Sequence, residues 1–266
     1  FLFNNSIRGI LKILIFFVFA VLCFAIILSY TRAAWVSLII AFGVMIILIL
    51  RIKFSVLFIA AVIAGIYLVG KSDDIVQMIE KRRQQSYSEL GERVQSISNI
   101  TTDESNLERI NRWNCAVRMF REKPFFGWGP GTYMFQYAPF QTTREKTEIS
   151  TNAADRGNAH SEYLGPLSES GLFGMITFLA IVILTTITGV RVYQKAPDRN
   201  SRILAASVFL GLVTYYVHGI MNNFLDTDKA SAPFWGFTAV LVSMDIFLKG
   251  NNHTEEKKSK KLNTKN

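Results

Sequence analysis

The chain has 266 residues, 50% of them hydrophobic and only 18% charged, with a formal net charge of +9 and 21 phenylalanines. An ordinary soluble domain carries about 25% charged residues, and here the apolar residues come in blocks. A disordered chain, a disulfide scaffold and most soluble enzymes are thereby excluded, which leaves a membrane protein with one substantial polar insert.

The opening FLFNNSIRGI runs straight into apolar sequence with no small-residue cleavage site after it. It reads as the continuation of a longer membrane chain, not as a signal peptide. Six apolar runs stand out, at residues 10–30, 33–50, 54–70, 171–190, 203–218 and 232–248. A spanning helix needs about 17–25 residues, so all six are predicted to cross.

Lys and Arg in the short connections set the orientation. One set of ends holds Arg8 and Lys12, Arg51 and Lys53, Arg191, Lys195, Arg199 and Arg202, and the tail KGNNHTEEKKSKK. The opposite set holds Tyr30-Thr31-Arg32, the long segment 71–163, and residues 218–231. The spans alternate between the two sets without a violation, which puts the basic ends and the C-terminus in the cytoplasm and the long segment outside. The net positive charge is thus explained by membrane orientation and calls for no nucleic-acid partner. The expected division is three spans in 1–70, a large outside loop in 71–163, three spans in 164–248, and a basic tail in 249–266.

At about 90 residues the outside loop far exceeds ordinary connections, and such loops are usually functional or disordered. Within it, residues 73–85 and 106–122 read as helices, the second capped by Ser105 or Asn106 and stopped before Pro124. On that helix Ile110, Trp113, Val117 and Phe120 fall within about 80° of one another, an apolar stripe facing the bundle or the bilayer surface. Arg109 borders the stripe, whereas Arg112, Arg118 and Arg121 are expected on a solvated face.

Four further features carry possible chemistry. Arg32 sits in a tight hairpin between the first two spans, against the topogenic bias, where it either serves function or snorkels to lipid phosphate. Gly127, Gly129 and Gly131 in GWGPG supply either a sharp turn or a nest of amides for an anion. His160 precedes a helix start capped by Ser161, with Glu162 and Glu169 beyond it. An imidazole there is a structural cap neighbour or a general base, and Glu169 needs a partner. Asp226-Thr227-Asp228 has the form of a short acidic metal motif, but His218 and Asn222 do not complete a ligand set. With two cysteines and three histidines in the chain, no metal and no cofactor is expected.

Three blocks in order, SYTRAAWVSLII, ERINRWNCAVRMFREKPFFGWGPGTY and NAHSEYLGPLSESGLFG, resemble the O-antigen ligase and Wzy-type polymerase superfamily of membrane glycosyltransferases. The resemblance implies an all-α, GT-C-like polytopic bundle with about twice as many spans as this chain shows. It implies transfer of a glycan from undecaprenyl diphosphate to an acceptor hydroxyl, on the lipid A core or on another glycan, at the periplasmic face of a bacterial inner membrane. It places catalysis on Arg32, Arg109 and His160, with Trp113, the three glycines and Glu169 around the substrate; Arg112 joins them by its position near Arg109, not by the motif. A polymerase of the same superfamily and a non-catalytic transporter of lipid-linked glycans are the alternatives. A transporter needs polar groups along its spans at mid-bilayer, and these spans are nearly free of them.

Overall fold

The computed structural model describes residues 9–29, 31–52, 92–151 and 157–263; for Arg32, 92–105 and 251–263 it describes the backbone alone. All regular structure among these residues is helical. Five helices are long and apolar enough to cross a membrane, so the chain is a polytopic helical membrane protein. The third predicted span, 54–70, and the helix predicted at 73–85 lie outside the described residues.

Helix α1 (Gly9–Leu28) is apolar on every face apart from Lys12 and buries none of its residues. A Ser29–Thr31 connection leads into α2 (Arg32–Leu50), whose end is closed by Arg51 in the left-handed conformation (φ 52°). There Ile52 N–H returns to the Ile47 carbonyl at 3.2 Å, which satisfies a carbonyl the helix end would leave open. Helix α3 (Glu92–Glu122) belongs to the polar insert and is followed by a short α4 (Tyr133–Gln136) and a 3-10 turn (Ala138–Phe140).

The remaining spans are α5 (Leu164–Lys195), α6 (Arg199–His218) and α7 (Asp228–Asn263). Helix α6 is the centre of the bundle, packed on α2, α5 and α7. Its Val208, Phe209, Leu212, Val213 and Tyr216 meet Ala41 and Leu48 of α2 and Phe234 and Leu241 of α7 in one core. Asp198 caps α6, its carboxylate accepting from Asn200 N at 2.8 Å and Ser201 N at 3.0 Å.

Three of these helices begin earlier than the apolar runs suggested, because polar first turns extend each helix beyond its hydrophobic stretch. The largest difference is α3, expected to start at 106 and found to start at Glu92. Asn106 does not cap it, since its Oδ1 accepts instead from Arg109 Nη1 at 3.1 Å. The expected stop before Pro124 holds.

Ser37 of α2, His218 of α6 and Pro233 of α7 line one cavity, and Glu162, just before α5, bonds to Gly219. The starts of α2, α5 and α7 and the end of α6 therefore share one end of the bundle. The insert sits at that end, with α3 packed on α5.

Candidate functional site

The insert is held together by a face of α3 that the apolar pattern did not reveal. The buried residues are Glu108, Asn111, Arg112, Cys115, Ala116 and Met119. At 100° per residue this face lies roughly 150° from the expected apolar stripe, and Ile110 of that stripe is 48% exposed. The cause is the segment after the helix. Residues 128–151 fold back onto α3, where Tyr133 and Tyr137 stack at 5.3 Å and 4°, and polar groups on the helix satisfy the loop.

Arg112 is therefore not on a solvated face. It is 5% exposed, pairs with Glu108 Oε1 at 2.6 Å, and lies 4.4 Å from the centroid of the Tyr137 ring. Tyr133 Oη donates to its carbonyl at 2.7 Å. Glu108 Oε2 accepts from Asn111 and from Thr147 Oγ1, each at 3.2 Å, and from Ser150 Oγ. Burial alone would raise the Glu108 pKa, but the bonds from Ser150, Arg112 and Asn111 outweigh it and hold the carboxyl below its ordinary range.

Arg118 is likewise drawn in. Its Nη2 donates to both Glu145 oxygens at 2.6 and 2.7 Å and its Nη1 to the Phe140 carbonyl at 2.7 Å, clamping the loop to the helix. Arg121 is exposed, as expected.

The glycine turn does hold an anion, and the anion is internal. Gly127, Gly129 and Gly131 have φ of 65°, 115° and 71°. Gly131 N–H donates to Glu169 Oε2 at 3.0 Å and Tyr133 N–H to Oε1 at 2.9 Å. Trp128 N–H and Gly129 N–H reach the Ser168 and Glu169 carbonyls at 3.2 and 2.7 Å. These carbonyls are reachable because α5 breaks at Gly171 (φ 66°, ψ −155°). Leu172 N–H then returns to the Pro124 carbonyl at 2.8 Å. A Cβ at Gly127 would overlap the Glu169 carbonyl, so the close approach requires glycine.

His160 occupies a left-handed turn, φ 48°. Its N–H donates to Asn158 Oδ1 at 3.1 Å and its carbonyl accepts from Trp113 Nε1 at 3.3 Å, so both its peptide groups are tied down and its ring is left to the site. Ser161 Oγ accepts from Tyr163 N at 3.3 Å and Leu164 N at 3.4 Å, although the cap position of α5 falls on Tyr163 and not on Ser161 as expected. Glu162 turns the other way from Glu169. It accepts from Tyr215 Oη at 2.5 Å and Leu225 N at 2.8 Å.

Burial first, then the positive charges of Arg112 and Arg109, lower the His160 pKa to about 4, with Glu108 opposing weakly. An unperturbed value near 6.5, on which sequence reasoning would base a pH profile, is thus replaced by one well below neutrality. The imidazole is neutral at physiological pH beside two cations.

Arg109 and Arg112 each keep a buried nitrogen, Nε and Nη1 respectively, without a partner among the described residues. Unpaired buried donors are rare and call for an explanation. Arg32 opens α2 at the same end of the bundle. Asp226 accepts from Asn223 at 3.0 Å, and no cluster of metal-ligating side chains occurs among the described residues. Glu108 was missed by sequence reasoning, although its spacing to Arg112, one turn apart, was an available signal. Glu162 was noted, but its partners Tyr215 and Leu225 were not readable because they lie far along the chain.

A family model described as O-antigen ligase matches residues 17–179, more than half of the chain. The match takes in Arg32, the buried face of α3, the glycine turn, His160 and Glu169, and stops short of α6. No curated protein matches the chain.

Proposed function

Because the chain belongs to the O-antigen ligase family, we propose that it transfers a glycan from undecaprenyl diphosphate to an acceptor hydroxyl. The acceptor is the lipid A core or a similar glycan, and the reaction runs at the periplasmic face of the bacterial inner membrane. The observation that carries this reading is His160, a neutral imidazole with its backbone locked and two arginines beside it. A neutral imidazole accepts the proton of the attacking hydroxyl. Guanidinium forks match phosphate oxygens and stay charged. Arg109, with its unpartnered Nε, and Arg32 hold the diphosphate and stabilise its charge as it leaves. Attack opposite the diphosphate inverts the sugar anomer, and arginines in this role make a metal unnecessary. Arg112, Trp113, Glu169 and the glycine turn shape the substrate side of the site.

The test is a change of cation shape at constant charge. In the full-length protein, Arg32→Lys and Arg109→Lys are expected to lower glycan transfer about tenfold to a hundredfold, the worth of a charge-assisted hydrogen bond, with membrane insertion unchanged. Arg121→Lys is the silent control; Arg118 does not serve, because it clamps Glu145. Near-normal transfer by both variants would remove the arginine clamp from the mechanism.

The proposed orientation rests on the basic residues gathered at the far end of the bundle, where Arg191 and Lys249 share Asp245 at 3.3 and 2.6 Å. A reporter active only in the cytoplasm should work when fused after Arg51, Lys195 or Gly250 and fail when fused at Ser150. Activity at Ser150 would reverse the assignment of the outer face.

A further inference from the structure

His218 lies outside the span matched by the family model and has no part in the mechanism above, yet its neighbour Gly219 is bonded to the segment that carries His160. The two histidines flank a single backbone hydrogen bond, Glu162 N–H to the Gly219 carbonyl at 2.8 Å. His160 is two residues before its donor, and His218 immediately precedes its acceptor. Both rings also feel the charge of Arg109.

The protonation pattern of the His218 ring follows from its neighbour. Nε2 lies 3.1 Å from Asn222 Nδ2; an amide nitrogen only donates, so with the amide in this orientation Nε2 accepts and the ring proton is assigned to Nδ1. Phe224 stacks on the ring at 5.6 Å, and Asn222 is buried, so the orientation is held from two sides. Nδ1 has no partner among the described residues and is not among the buried orphans. The ring lines a cavity of about 240 Å³ between α2, α6 and α7, whose walls include Leu212, Pro233, Phe234 and Phe237.

An oriented ring donor lining an apolar cavity, within the field of Arg109, has the chemistry to bind a phosphate ester of a long apolar alcohol. We infer that His218 Nδ1–H donates to a phosphate oxygen of the lipid-linked donor, whose apolar chain enters the cavity between α2, α6 and α7. The inference rests on the proposed donor class and adds to it a binding residue on α6.

The experiment measures binding of undecaprenyl diphosphate to the full-length protein in phosphatidylcholine nanodiscs. His218→Phe, which keeps the stacking and loses the donor, should weaken binding about tenfold or more, as expected for a hydrogen bond to a charged group. His218→Asn, whose amide nitrogen replaces Nδ1, should stay within about threefold of wild type. Asn222→Asp would accept from Nε2–H and leave Nδ1 as an acceptor facing the phosphate, so it should lose as much as His218→Phe.

Unchanged binding by His218→Phe, or equal loss in the Phe and Asn variants, would overturn the donor role. Competition by phosphatidylglycerol at similar concentration would identify an ordinary lipid headgroup as the ligand and overturn the assignment to the glycan carrier. Glycan transfer is followed in the same preparations. Its absence from wild type, with His218-dependent binding intact, would count against the proposed activity and leave this site standing.

Discussion

Purified full-length His160→Asn is expected to bind the lipid-linked donor normally and to transfer glycan about 10²–10⁴-fold more slowly, the usual contribution of a general base. Asparagine is the decisive replacement because it tolerates the left-handed backbone at this position, φ 48°, and offers a hydrogen-bonding amide without basicity. Alanine would lose the base and strain the turn together, so its failure would say less. If His160→Asn turns over robustly, the imidazole is a structural element of the turn and not the base. The pH profile gives a second reading of the same residue. With the pKa lowered to about 4, the imidazole stays neutral and competent from pH 7 down to about 5. The acid limb due to His160 should therefore lie near pH 4 and not near 6.5. A limb near 6.5 that disappears in His160→Asn would show that the ring is solvated during catalysis.

Glu108→Ala is expected to destabilise the insert by about 3–5 kcal/mol, the cost of leaving a buried charge without its partner. Arg112 is 5% exposed, its ion pair is with Glu108 at 2.6 Å, and its Nη1 has no partner among the described residues. The same substitution strips acceptors from Ser150, Thr147 and Asn111, so the loop's attachment to α3 weakens from both sides. Glu108→Gln keeps hydrogen-bonding oxygen and loses only the charge, and should cost less. Proteolysis of residues 128–151 in increasing urea measures the difference. A Glu108→Ala protein as resistant as wild type would mean that Arg112 has another counter-charge. The pH dependence has a definite sign. The folded pKa of Glu108 lies below the unfolded value, so its stabilisation is complete above the ordinary carboxylate range and is lost as the pH falls through the folded pKa.

The spans were legible because burial in lipid demands long runs of apolar residues, a signal local to each helix. Residues 10–30 and 33–50 announced α1 and α2 nearly to the residue. The polar insert was legible only as motifs. Helix α3 was found with its apolar stripe of Ile110, Trp113, Val117 and Phe120, but the second, buried face formed by Glu108, Arg112 and Cys115 was not. Hydrophobic periodicity identifies a face that meets apolar neighbours. Here the neighbour is a mixed loop, whose aromatic rings pack on Cys115, Ala116 and Met119 while its hydroxyls bond Glu108 and Asn111. The Glu169 requirement for a partner was readable, but that the partner is the glycine turn was not. That pairing depends on the break at Gly171, which brings two distant segments within hydrogen-bonding distance. The lowered pKa of His160 was hidden for the same reason, since its burial arises from tertiary contacts.

That break has a consequence for how the molecule breathes. Gly127 to Tyr133 is stitched to the first two turns of α5 by main-chain and carboxylate bonds, and Pro124 is stitched to Leu172 on the other side of the break. Unwinding those helical turns would strand the amides of the loop, and lifting the loop would strand the carbonyls exposed at the break. Neither event is affordable alone, so the outer end of α5 and the glycine turn form one cooperative unit of local unfolding. Their amides would exchange with solvent in a single concerted opening, although the two segments are far apart along the chain.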